Sequence, residues 1–187
     1  MKRVRMAAVL ALGLVVFAGV RAADEPKTEA GFTALFNGKD FTGWKQQKDS
    51  VSLDGKDEAY GKRFIIKDSA IVIDPKVKGD VHIETAKEFS GDVVLKLDFK
   101  PGSGCNNDLF FRGSKFDIKS DKGVVVGLKV DEWNKLEMTV TGDQVVYKIN
   151  GEAQKALKAT APKSTFRIRA EFGPIEIKGV SIKEVKK

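Results

Sequence analysis

The sequence predicts an all-β fold of two antiparallel sheets packed face to face, and three observations carry that prediction. Short runs rich in Val, Ile and Phe recur along the chain, separated by Gly, Asp, Asn and Pro. Within many of these runs apolar and polar residues alternate, which in a strand sends one set of side chains to a core and the other to water. Gly142-Asp143 and Asn150-Gly151 stand where two-residue hairpin loops belong, because such loops need the positive φ that Gly and Asn tolerate.

Ahead of the first strand, residues 1–22 read as a signal peptide. Lys2, Arg3 and Arg5 precede an apolar run from Met6 to Val20, and Val20 and Ala22 suit the small-residue positions before a cut after Ala22. The run is shorter than the roughly 20 residues of a spanning helix, so no membrane association is expected once it is removed. Cleavage leaves 187 − 22 = 165 residues, enough for one domain with its own core. It also removes four basic residues, so the formal charge falls from +7 to 7 − 4 = +3. The remaining lysines lie beside Asp and Glu along the strands and read as a solvated face, which argues against a nucleic-acid partner. Cys105 is the one cysteine, so no internal disulfide forms and the core alone holds the fold.

Residues 23–31 are polar and aperiodic and are expected to be a flexible start to the mature domain, which spans residues 32–187. Residues 45–63 have no pattern and read as a surface loop. Strands are then expected at 64–73, 80–85, 91–100, 108–112, 115–119, 124–130, 135–141, 145–149, 165–172 and 174–185. The rows Leu95, Leu97, Phe99 and Leu136, Met138, Val140 point to the core, joined by Phe116, Ile118, Ile168 and Ile182. In the last run Ile175 and Ile177 share a parity that Val180 and Ile182 break; Gly179 at the break predicts a bulge that restores the inward row. Trp44 and Trp133 are expected to anchor packing.

The chain has no GxSxG, HExxH or GxxxxGK[ST] motif and one histidine, His82, which reads as a strand surface residue. What remains is a set of carboxylates and arginines on outward parities. Asp98 opposes the Leu97 and Phe99 row, Asp117 opposes Phe116 and Ile118, and Glu171 shares a side with Arg167 and Arg169. Arg112 shares parity with Phe110, so an aromatic and a guanidinium are expected on one surface. That combination suits a sugar, whose apolar ring face packs on an aromatic while its hydroxyls bond to charged and amide groups. Paired carboxylates serve equally as acid and base or as ligands of a hard divalent metal. Charges pairing weakly across strands would look the same, and Asn106, Asn107 and Asp108 suit turns as well as ligands.

FTALFNGKDFTGW resembles the opening signature of the 3-keto-disaccharide hydrolase domain family. In order after it, HIETAKEFSGDVVLKLDFK, NNDLFFRG, KFDIK, DEWN, INGE and FRIRAEFGPIEIKGVSIKEV are similar to that family's successive motifs. The resemblance implies a concanavalin-like jelly roll, export from a bacterium to the periplasm or beyond, and cleavage of glycosidic bonds in 3-keto sugars. It implies catalytic roles for Asp117, Asp98, Glu171 and Arg112, with substrate binding by Asn106, Asn107, Phe110, Lys119 and Arg169. A divalent metal is compatible with it. Asp117, Lys119 and Glu171 stand where the family has Glu, Gln and Gln, and the segment between KFDIKS and DEWN is short. A non-catalytic carbohydrate-binding module on the same fold therefore stands beside the hydrolase or lyase. Convergence of Asp98, Arg112, Asp117 and Glu171 on one face is the expectation that the enzyme reading makes.

Overall fold

The computed structural model of the chain describes residues 28–185; the expected signal peptide lies outside the described residues. Among the described residues there is no helix long and apolar enough to cross a membrane, and the chain is all strand and turn. Two antiparallel sheets make a jelly-roll sandwich. The larger one runs Glu152–Ala153, Gln144–Ile149, Asn134–Thr141, Val93–Pro101, Ile175–Glu184, Ala70–Ile73, Phe64–Lys67 and Glu58–Ala59. The smaller runs Ser114–Lys119, Asn106–Phe111, Arg167–Phe172, Val81–Thr85 and Trp44–Gln46.

Period-two alternation places the core between them. Val93, Leu95, Leu97, Phe99, Leu136, Met138, Val140, Ile177 and Ile182 from one sheet meet Leu109, Phe111, Phe116, Ile118, Ile83 and Ile168 from the other, all buried. Each such side chain contributes about 1.5–3 kcal/mol through burial. Phe116 stacks on Tyr147 across the gap, ring centroids 4.4 Å apart, tying the two sheets together. The bulge expected at Gly179 is present: the pairing with Val93–Pro101 slips between Lys178 and Ser181, Gly179 has φ 63°, and Val180 turns inward.

Four local expectations need correction. The run 64–73 is a hairpin, because Asp68 and Ser69 take φ values of 51° and 59° and form a two-residue loop. Residues 124–130 form a loop instead of a strand: Val125 alone is buried, Gln154 clips both the N–H and the carbonyl of Val126, and Asn150 Nδ2 holds the carbonyl of Gly127. The 45–63 stretch is more than a surface loop, since Leu53 is fully buried and Tyr60 Oη donates to the carbonyl of His82 at 2.8 Å. Trp44 is fully buried, with Nε1 donating to the Leu35 carbonyl at 2.6 Å. Trp133, expected to match it, is 40% exposed under the Lys178 ammonium, because it precedes the strand beginning at Asn134 and lies outside the sandwich.

Candidate functional site

The outer face of the five-stranded sheet carries the charges. Register sets them in rows, since directly opposed residues on neighbouring strands bring their side chains within contact. One row reads Asp117, Asp108, Arg169, His82 across four strands. The next reads Lys115, Phe110, Arg167, Glu84, Lys45 across five. The inward neighbours Leu109, Phe116, Ile168 and Ile83 are core residues, which locks both rows outward.

Arg169 is the hub. Its Nε and Nη2 fork onto the Asp80 carboxylate at 2.7 and 2.6 Å, while Nη1 donates to Asp108 Oδ2 at 2.6 Å and to Glu171 Oε2 at 2.9 Å. Asp80, chiefly, holds Arg169 firmly protonated, and Arg169 in turn lowers the Asp80 pKa. Asp108 has no exposed surface, lying beneath Arg169, Asp117 and Lys115. Burial first, then its hydrogen bond to Asp117, pushes its carboxyl up to about 6 despite Arg169. Burial also acts upward on Asp117, but the hydrogen bond from Asp108 and the contact with Lys115 more than reverse it, leaving Asp117 below the usual value. Below about pH 6 one carboxyl of the pair therefore holds a proton while the other, 37% exposed at its side chain, stays ionised. Lys115 is held protonated mainly by Asp117. His82 packs against the Phe110 ring at 5.6 Å, and burial with the nearby Arg167 lowers its pKa, so it is neutral at neutral pH.

The expected four-residue convergence is not what the structure contains. Asp117 and Glu171 do share this face, with Arg169 between them. Asp98 is on the outside of the other sheet, 3.6 Å from Lys135, at a separate cavity of about 550 Å³. Arg112 is on neither face: with Gly113 it forms the two-residue loop joining Asn106–Phe111 to Ser114–Lys119, at φ 52°. That conformation turns its guanidinium away, and Nε and Nη1 donate to the carbonyls of Ala161 and Gly91 as a structural staple. Asn107 is likewise internal, 1% exposed, its amide gripping the backbone of Glu171, Phe172 and Gly173. Asn106 and Lys119 face each other on the outer side, as the next outward pair along the strands from Asp108 and Asp117. Phe110 also faces out, but Arg167 covers its ring at 4.3 Å.

Asp80 and Lys115 were not site candidates from the sequence, Asp108 stood there between turn and ligand, and His82 stood as a strand surface residue. The signal for Asp108 was the Arg112-Gly113 pair, since a two-residue loop there sets Asp108 opposite Asp117. A divalent metal does not fit these side chains. Lys115 and Arg169 already bridge the carboxylates that would hold it, and among the described residues no group of three or more His, Cys, Asp or Glu is arranged for one.

At the end of the sheet beyond Glu171 lies a recess of about 410 Å³, lined by Arg63, Val77, Asp80, Glu171 and Phe172 among others. The charge network therefore opens onto a volume that a sugar ring could occupy.

Comparison with solved structures supports the fold. A candidate glycosyl hydrolase from Parabacteroides distasonis ATCC 8503 matches with TM-score 0.69 at 17% identity, over 87% of this chain and 100% of its own. A carbohydrate-binding module of class CBM66 from Bacillus subtilis matches with TM-score 0.51 at 12% identity, over 76% and 96%. Alginate lyase A1-II′ matches with TM-score 0.55 at 12% identity, over 77% and 95%. A search of curated proteins finds no match. Residues 31–129 match a family model and contain Asn106, Asp108, Lys115, Asp117 and Lys119; the chain belongs to the family of 3-keto-alpha-glucoside-1,2-lyase-like domains.

Proposed function

We propose that this is an exported bacterial enzyme that cleaves the glycosidic bond of 3-keto-glucosides, 3-keto-disaccharides among them, by elimination, with Asp117 as the base. One observation carries the reading: Asp117 stands on the outer face, 37% exposed at its side chain, with the Lys115 ammonium against it and the buried Asp108 opposite it in register, and its carboxyl is held below the usual value. A base of that kind needs an acidic hydrogen, and a 3-keto group supplies one at C2. The export step rests on the leader-like residues 1–22.

Asp117 takes the C2 hydrogen as a proton, and the electron pair moves toward C3, placing negative charge on the keto oxygen. The Lys115 ammonium stabilises that oxygen. When the C3 carbonyl re-forms, the pair shifts to make the C1–C2 double bond and expels the C1 oxygen. That oxygen takes the proton from the Asp117 carboxyl, restoring the base, and water then adds across the double bond to give the free 3-keto sugar. Asp108 touches no substrate atom; it positions Asp117 and sets its charge.

A non-catalytic sugar-binding module is the second reading. It is favoured by the closure of the network on itself, with Asp80, Asp108, Asp117 and Glu171 all paired to Arg169 or Lys115. The test is release of 4-nitrophenol by the purified full chain from 4-nitrophenyl 3-keto-glucoside and from the unoxidised glucoside, with and without added divalent ions. The enzyme reading expects turnover of the keto sugar alone, falling about a hundredfold or more in Asp117→Asn with the melting temperature kept. A folded wild-type chain that binds the keto sugar without turnover establishes the module instead.

A further inference from the structure

We infer that the recess beyond Glu171 is a second sugar subsite, built to hold the departing ring of a disaccharide on the face of Phe172; the inference rests on the reaction proposed above. Phe172 is the most exposed large apolar side chain among the described residues, at 62%. A lone exposed aromatic is ordinary on a protein surface. This one differs because its backbone is clamped from two sides by buried polar side chains. Asn107, 1% exposed, donates to the carbonyls of Phe172 and Gly173 and accepts from the N–H of Glu171 at 2.8 Å. Arg63, 2% exposed, donates through Nη2 to the carbonyl of Glu171 at 2.8 Å. Gly173 completes the hold: at φ 69° it lies so close to the Gly104 carbonyl that a Cβ there would come within 2.3 Å of the oxygen.

The bulge between Arg169 and Phe172 breaks strict alternation at this point. Glu171 therefore keeps its place in the carboxylate network while the next residue also reaches solvent. An aromatic face fixed in this way stacks on the apolar face of a pyranose with little ordering cost. The polar partners stand around it. Carboxylates of Glu171 and Asp80 line the same recess and keep lone pairs free beyond those that Arg169 uses, so they accept from sugar hydroxyls. Arg63 also lines the recess, and its Nε is buried without an acceptor in the protein.

Two strand spacings, about 10 Å, separate the strand of Asp117 from that of Glu171. Two linked rings span such a distance. The subsite requires that a ring whose C2 hydrogen lies at Asp117 direct its C1 substituent over Arg169 toward Phe172.

The experiment measures kcat/KM of the full chain on 3-keto-maltose and on methyl 3-keto-α-glucoside, with calorimetric titration of maltose alongside. The subsite predicts that 3-keto-maltose is the better substrate, and that Phe172→Ala lowers its kcat/KM roughly tenfold while sparing the methyl glucoside. Phe172→Tyr restores the loss. An equal effect on both substrates, or none on either, overturns the subsite and leaves the reaction standing. Absence of turnover on both overturns the reaction, and the titration then decides: maltose binding that weakens in Phe172→Ala keeps the subsite. Binding indifferent to Phe172, or no saturable binding, removes it.

Discussion

Replacing Asp108 by asparagine isolates the proton at the centre of the carboxyl pair. Asparagine preserves the shape, its amide oxygen can still accept from Arg169 Nη1, and its NH₂ can donate to Asp117 where the proton did. What disappears is the titration. In the native chain Asp108 titrates at about 6 against an ordinary 3.8, a difference of 6 − 3.8 = 2.2. A raised carboxyl pKa means that the folded state binds the proton more tightly than the unfolded chain. Its contribution is therefore complete below pH 3.8 and lost as pH rises through 6. Evaluated at pH 4.5 and pH 7.5 with these two values, the contribution falls by about 2 kcal/mol across the window. Asp117 is shifted downward, so its own charge change lies below 3.8 and outside that window. Asp108→Asn should thus gain about 2 kcal/mol relative to wild type on going from pH 4.5 to 7.5. Urea unfolding of both proteins at the two pH values reads this difference directly. A stability difference that is the same at both pH values would show that Asp108 is not the group titrating near 6.

Two further predictions concern the frame of the site. Arg63→Met removes both donors to the carbonyls of Asp74 and Glu171, and the orphaned buried acceptors should cost about 2–4 kcal/mol in thermal or urea unfolding. Trp44→Phe should lose about 1–2 kcal/mol with the Nε1 bond to Leu35, whereas Trp133→Ala should lose no more than about 1 kcal/mol; a reversed order would contradict their burial.

The core was legible because burial of one face forces a period of two on any strand that contributes to it. Leu95, Leu97 and Phe99 repeat on that period, and so do Leu136, Met138 and Val140; a shift by one residue would expose the whole row. Where the period was absent, expectation failed. Val124, Val125 and Val126 have β-forming side chains but no alternation, and two of the three are exposed in a loop held by Gln154. For the site, parity tells outward from inward but not which of the two outsides a residue faces. Asp98 and Asp117 satisfy the same local rule and stand on opposite surfaces of the sandwich, separated by the core.

The cue that would have located the carboxyl pair was a turn. Arg112 and Gly113, at φ 52° and 77°, close a two-residue loop, so Phe111 pairs with Ser114 and, three steps back along the ladder, Asp108 meets Asp117. The same loop takes Arg112 out of the strand and onto the carbonyls of Gly91 and Ala161. One feature thus explains both why Arg112 leaves the outer face and why Asp108, ambiguous in the sequence between turn and ligand, faces Asp117. Gly113 also has no room to vary: a Cβ there would come within 2.0 Å of Thr160 Oγ1. The packing of the 158–164 segment on this turn therefore constrains the loop, the loop sets the register, and the register brings the Asp108 and Asp117 carboxyls together.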